Sequence, residues 1–254
     1  MTRRHAYLLV SGVAWGGFLL VIAWTAAFLA GVVVDPTVDA SLRHPQRLPT
    51  AGAVGVDVGL LLLFAVQHSV MARRPVKERL RRWLPAELER ATYVLATDAC
   101  LVLLLLLWQP WDGQVWLVEG PLATVLWVLC AAGWLLAIVA TNAVDHLELV
   151  GLRQAGWGRR HHLAGDGSTS SLHVTGLYAV VRHPLMTGLL LAFWATPRMS
   201  APHLLFATAT TAYVAVGIHF EERDLRRTFG RAYADYAARV PALLPILRPR
   251  VTRP

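Results

Sequence analysis

The densest run of residues able to do chemistry is Gly176-Leu177-Tyr178-Ala179-Val180-Val181-Arg182-His183-Pro184-Leu185-Met186-Thr187-Gly188. Proline after His183 suits the first turn of a helix, where its missing N–H costs nothing. The amides that follow, from Leu185 onward, have no intrahelical acceptor and gather at the positive end of the helix dipole. Arg182 adds a cation beside them, and Gly188, one turn later, lets a ligand approach the backbone. This arrangement suits a carboxylate or a phosphate. A purely structural reading stands beside it, in which Pro184 opens a membrane helix and Arg182 reaches for the interface. Further polar groups, His68, Arg73, Tyr93, Asp145, His146, Glu221 and Glu222, stand at the ends of other apolar stretches.

The elements that position them are membrane helices. The chain has 254 residues, of which 56% are hydrophobic and only 16% charged, with a mean hydropathy of +0.47. Soluble domains carry roughly a quarter charged residues. A formal charge of +8 raises the question of nucleic acid, but the cations lie between apolar segments and form no basic domain, so no nucleic-acid partner is expected. Cys100 and Cys130 both sit in apolar runs, which excludes a disulfide framework and argues against a cysteine zinc site. Of the ten histidines only His161 and His162 adjoin, and no metal is expected. The first apolar segment lacks a small-residue cleavage site and is expected to be retained.

A membrane helix needs about 20 mostly apolar residues. Candidates run over 6–34, 51–71, 91–109 and 121–144, followed by two shorter pieces, 184–196 and 203–220, joined by Pro197-Arg198-Met199-Ser200-Ala201-Pro202. The expected fold is all-α, a polytopic integral membrane protein with five to six transmembrane helices including a C-terminal helical hairpin. Of 24 Lys and Arg, all but Arg43, Arg47 and Arg198 fall on one side of this topology, so both termini are expected in the cytoplasm. His68, Arg73, Tyr93, Asp145, His146, His183, Glu221 and Glu222 then share the cytoplasmic end. Interfacial anchoring would place some of these types there regardless of function. Asp57 and Asp98 lie deeper, where carboxylates usually face a bundle interior or a watery cavity.

Leu225, Phe229 and Tyr233, spaced by four, mark one face of a tail helix that continues the last membrane segment. Val240-Pro241 ends it. With no internal repeat or linker, one domain over 1–254 is expected. It comprises an N-terminal helix (1–34), a three-helix core (51–144), a cytoplasmic loop (145–183), the hairpin (184–220) and an amphipathic cytoplasmic helix (221–245).

Arg182-His183-Pro184-x-x-x-Gly188, followed after the hairpin by Glu221-Glu222-x-x-Leu225-x-x-x-Phe229-Gly230-x-x-Tyr233-x-x-Tyr236-x-x-x-Val240-Pro241, resembles the isoprenylcysteine carboxyl methyltransferase superfamily. Gln67-His68-Ser69-Val70-Met71-Ala72-Arg73, Glu89-Arg90-Ala91-Thr92-Tyr93-Val94-Leu95, Gly151-Leu152-Arg153-Gln154 and Leu191-Ala192-Phe193-Trp194-Ala195-Thr196-Pro197 resemble the methanethiol S-methyltransferase family within it. The Gln67–Arg73 stretch is also similar to NnrU-type membrane proteins linked to nitrogen-oxide respiration. The resemblance covers roughly 57–245.

It implies S-adenosylmethionine as cofactor and methyl donor, and methanethiol as the small-molecule thiol that becomes dimethyl sulfide. It also implies a bacterial inner membrane, with the site facing the cytoplasm and lipid as the other partner. The oligomeric state is not implied. The superfamily's cofactor residues correspond to Tyr178, Arg182, His183, Pro184, Leu185, Gly188, Glu221 and Glu222. Helix-start amides and Arg182 are expected to hold the donor's carboxylate, and Glu221 or Glu222 its ammonium or ribose hydroxyls. The thiolate is the nucleophile, so a base is expected near the reacting sulfur: His146 or His68, oriented by Asp145 or Tyr93. An arginine such as Arg73 would serve instead by stabilising thiolate. Two positions depart from the pattern. Met186 stands where the superfamily has tyrosine, and Asp145-His146-Leu147-Glu148-Leu149-Val150-Gly151 replaces Asn-His-Phe-Asp-Leu-Phe-Gly. An NnrU-like membrane protein without methyltransferase activity, or an enzyme for another thiol or a lipid, remain the alternatives.

Overall fold

The computed structural model describes residues 3–32, 37–39, 46, 48–109, 111–143, 172 and 174–245. The segment holding Asp145 and His146 lies outside the described residues, so their expected roles have no structural counterpart here. Eight α-helices are described: α1 (Arg3–Ala30), α2 (Thr50–Met71), α3 (Arg74–Leu80), α4 (Glu89–Leu107), α5 (Pro121–Ala143), α6 (Pro184–Trp194), α7 (Ala201–Phe229) and α8 (Arg231–Arg239). Five helices are long and apolar enough to cross a membrane: α1, α2, α4 with its leading turn, α5 and α7. The protein is an all-α polytopic membrane protein.

The hairpin's first arm is helical over only part of its length, and the extended residues after Trp194 carry it on to the short strand Arg198–Ser200. Helix α6 has 11 residues, roughly 16 Å at 1.5 Å per residue, against a hydrocarbon core of about 30 Å. Helix α7, with 29 residues, is roughly 43 Å long. It runs unbroken past Glu221 and Glu222. The tail is therefore not one continuous helix to Val240, because the chain bends at Gly230. There φ is +53° and ψ −121°, a conformation that a side chain would strain. Helix α8 starts immediately after.

Two short strands depart from a wholly helical expectation. β1 (Gln114–Leu117) and β2 (Arg198–Ser200) pair antiparallel, with Trp116 opposite Met199 and Leu117 opposite Arg198. Val118 N–H donates to Pro197 O at 2.8 Å and Ala201 N–H to Gly113 O at 2.8 Å. The linkers at this end of the bundle need partners for backbone groups that no helix satisfies, and they find them in each other. Nearby, Asp57 accepts from Gln109 N–H at 2.8 Å and from Trp111 Nε1–H at 3.0 Å. Its carboxylate thus ties α2 to the chain leaving α4. Asp98 faces α1 instead, so close to Gly17 that a Cβ there would lie 3.1 Å from Oδ2.

Aromatic edges join the helices at the end that carries the strands. Phe206 of α7 meets Phe28 of α1, Trp108 beyond α4 and Phe193 of α6, with ring centroids 6.5, 6.1 and 5.3 Å apart. Helices α5 and α6 pack through backbone. Gly133 and Ala137 on one, and Gly188 and Ala192 on the other, form two interlocked small-x-x-x-small pairs, the pattern that lets membrane helices approach closely. A Cβ on Gly188 would lie 2.6 Å from both Ala137 N and Gly133 O. Gly188 was expected to admit a ligand, but the backbone of α5 fills that space.

Gly188→Leu is therefore expected to destabilise the protein by about 1–3 kcal/mol through overpacking, read as a lower melting temperature in detergent. Gly59→Leu, where nothing lies within 4 Å, is expected to stay within about 0.5 kcal/mol of wild type.

Candidate functional site

Four segments converge at the end opposite the strands: the Gly176–Ala179 turn, the start of α6, the end of α7, and α8 with the chain after it. The centre is the carboxylate of Glu222. Arg182 donates to its Oε1 from Nε at 2.9 Å and from Nη2. His183 Nε2 lies 3.3 Å from the same oxygen, and Arg226 donates to Oε2 at 2.8 Å. Both Arg182 and Glu222 keep only 10% of their side-chain surface exposed.

The sequence reading placed Arg182 on a ligand. Here its guanidinium is occupied: besides Glu222 it donates to Ala237 O at 3.0 Å and to Val240 O. The chain after α8 is sewn to the start of α6 by Arg182 N–H to Pro241 O at 2.9 Å and His183 N–H to Ala242 O at 3.1 Å. Thr187 Oγ1 adds a bond to Leu243 O at 2.8 Å. Pro184 occupies the first helical position, as its type predicts.

Glu221 differs from its neighbour. Its side chain is 53% exposed, and Oε2 lies 3.4 Å from His183 Nδ1. His183 thus stands between two carboxylates, one at each ring nitrogen. Burial alone would lower its pKa, but the hydrogen bonds and charges of Glu221 and then Glu222 raise it above 6.5. The paired carboxylates thus favour its protonated form. Tyr178, half-buried, has its phenol pushed up by burial and then by the charge of Glu221. Its carbonyl accepts from the Tyr236 hydroxyl at 2.6 Å. The amides of Leu185 and Met186 meet no backbone acceptor among the described residues.

Arg226, Tyr236, Thr187 and Tyr233 were not singled out as site residues. Tyr233 and Tyr236 appear in the motif, but nothing in their spacing says that they turn inward. Tyr233 is buried beside Glu222 and Arg182, and burial, followed by the charge of Glu222, pushes its phenol up to about 12.

A second cluster lies deeper. The Tyr93 hydroxyl sits 2.9 Å from Nε2 and 3.0 Å from Nδ1 of His68, against the ring edge between them. Phe64 stacks on the imidazole with centroids 5.4 Å apart, and Ser69 Oγ meets the Tyr213 hydroxyl at 3.1 Å. The structure thus joins His68 and Tyr93 as the sequence reading expected. It does not join them to Glu222: Tyr213 is nine residues from it along α7, roughly 13 Å and on the opposite side of that helix. Arg73 caps α3 and is exposed, apart from both clusters.

The sequence model of the family described as NnrU protein matches residues 58–241, a span that holds both clusters. The chain belongs to the NnrU family. This NnrU-family chain is 43% identical to methanethiol S-methyltransferase 2 of Bradyrhizobium diazoefficiens over 97% of its own length and 93% of that protein's. It is 48% identical to methanethiol S-methyltransferase of Pseudomonas deceptionensis over 77% of its length and 74% of the relative's. With Nurim of Sus scrofa it shares 33% identity over 67% of each chain. No solved structure matches.

Two outcomes are expected for this NnrU-family chain. Glu222→Gln strands the buried Arg182 guanidinium and should cost about 3–5 kcal/mol of stability, whereas Glu221→Gln at a half-exposed site should cost much less; thermal unfolding in detergent measures both. His183 has its pKa raised by folding, so its contribution is complete below about 6.5 and is lost as pH climbs through the folded value. Melting temperature should fall over that rise in wild type, and His183→Asn should lack the step.

Proposed function

We propose that the chain transfers a methyl group from S-adenosylmethionine to methanethiol, giving dimethyl sulfide and S-adenosylhomocysteine, in a bacterial inner membrane with the site facing the cytoplasm. The carrying observation is the 43% identity, along 97% of the chain, to a protein named methanethiol S-methyltransferase. The positive-inside pattern supports the orientation.

The groups left available at the upper cluster match the amino-acid part of the donor. The Leu185 and Met186 amides, at the positive end of α6, would take a carboxylate. Glu221, with much of its surface exposed, would take an ammonium or ribose hydroxyls, and Tyr178 flanks it. Arg182 and Glu222 are positioning residues in this reading: they hold the start of α6, the end of α7 and the strap after α8 in one register. The donor, when bound, supplies a methyl group on a cationic sulfur.

Because only the thiolate attacks well, a group must accept the thiol proton. His68 would take it at a ring nitrogen while Tyr93 fixes the ring, and the surrounding Phe64 and Tyr213 suit a small apolar thiol. His146 with Asp145 is the alternative pair. Positioning is the larger contribution, since oriented reactants save on the order of 7–11 kcal/mol.

Headspace gas chromatography on purified protein given S-adenosylmethionine and methanethiol is the test. Dimethyl sulfide is expected, and Glu221→Gln should weaken S-adenosylhomocysteine binding. His68→Ala should lower turnover by about 10²–10⁴ with that binding nearly unchanged. Binding without product would discard the acceptor, and absence of both would overturn the reading.

A further inference from the structure

The loop between α2 and α4 carries a surface that neither cluster uses. Residues 72–90 hold seven cations against Glu78, Glu87 and Glu89, a net +4. The segment is ordered by its own backbone: Trp83 N–H and Leu84 N–H both donate to Leu80 O at 2.9 Å, and Arg82 N–H donates to Arg79 O. That turn holds Trp83 outward with 86% of its surface exposed, the highest value among the exposed large apolar side chains. Glu89 is already engaged by Arg81 at 2.5 Å and Lys77 at 4.0 Å. Arg79 and Arg82 have no side-chain partner among the described residues, and with Pro75, Val76 and Glu78 they line a groove of about 290 Å³.

We propose that this groove and Trp83 together form a docking surface for the headgroup of an anionic phospholipid in the leaflet where α2 ends and α4 begins. The location favours a lipid over a protein partner. The spans on either side finish at Met71 and begin at Ala86, so the loop lies at headgroup depth. Tryptophan prefers that depth because its ring is apolar and its N–H polar. Unpaired arginines there attract phosphate, and guanidinium matches phosphate oxygens in two-pronged geometry. Glu78 sits in the same groove, opposing a bare anion and offering an acceptor to a headgroup hydroxyl. The inference stands independently of the proposed reaction.

The test uses the intact protein in detergent, titrated with phosphatidylglycerol, with phosphatidylcholine of the same acyl chains, or with inorganic phosphate. Melting temperature and the fluorescence difference between wild type and Trp83→Phe are read. Phosphatidylglycerol is expected to raise the melting temperature and shift the Trp83 emission to the blue, with both effects lost at high salt. Arg79→Gln with Arg82→Gln should raise the half-saturating lipid concentration by about fivefold per cation removed, and Arg79→Lys with Arg82→Lys, which keeps the charge and loses the two-pronged geometry, should restore it only in part. Unchanged melting without lipid shows that the variants fold. An equal response to phosphatidylcholine, full reproduction by inorganic phosphate, or an undiminished response in the glutamine variant would each overturn the proposal. So would an unshifted Trp83 emission, which would leave the tryptophan to a protein partner.

Discussion

Everything at the polar end of this molecule depends on one buried carboxylate. Glu222 near the end of α7 meets Arg226 of its own helix and, from the segment just before α6, Arg182 and the His183 ring. A lone carboxylate at that depth would be prohibitive. Surrounded as it is, it fixes the start of α6 against α7 and leaves the second coordination of Arg182 to the carbonyls of the last turn. The tail is thereby ordered by the same charge that orders the hairpin.

The consequence for chemistry is a division of labour between adjacent residues of one type. Glu222 is satisfied on both oxygens and sealed; Glu221 keeps one face to solvent. In a helix, successive residues are turned by about 100°, so one of a neighbouring pair faces the core while the other remains available. The Glu-Glu dipeptide is best understood as a brace with a solvent-facing neighbour.

Much of this was legible beforehand. Apolar length located the spanning helices, because a bilayer admits few alternatives, and the Arg-His-Pro pattern marked the start of α6. His68 and Tyr93 were placed at one membrane level on α2 and α4, where the structure brings them into contact. What escaped was partner choice. Nothing in the composition around Arg182 says whether its donors meet a ligand or Glu222, since both are anions. Gly188 was read as room for a ligand, yet the room is taken by α5, because a glycine reports close approach without saying what approaches. The break at Gly230 was hidden by an apolar spacing of four that continues across it. The strand pair was invisible because its partners lie over eighty residues apart.

The unequal lengths of the hairpin arms have a mechanical consequence. Helix α7 exceeds the thickness of a typical hydrocarbon core, while α6 reaches only partway through and is anchored by backbone contact to α5. A long rod beside a short fixed one answers bilayer thickness by tilting. Hydrophobic mismatch would thus act on the angle between the two elements that carry Glu221 and the α6 amides. Lipid chain length becomes a load on the Glu222 contacts that hold these two elements together.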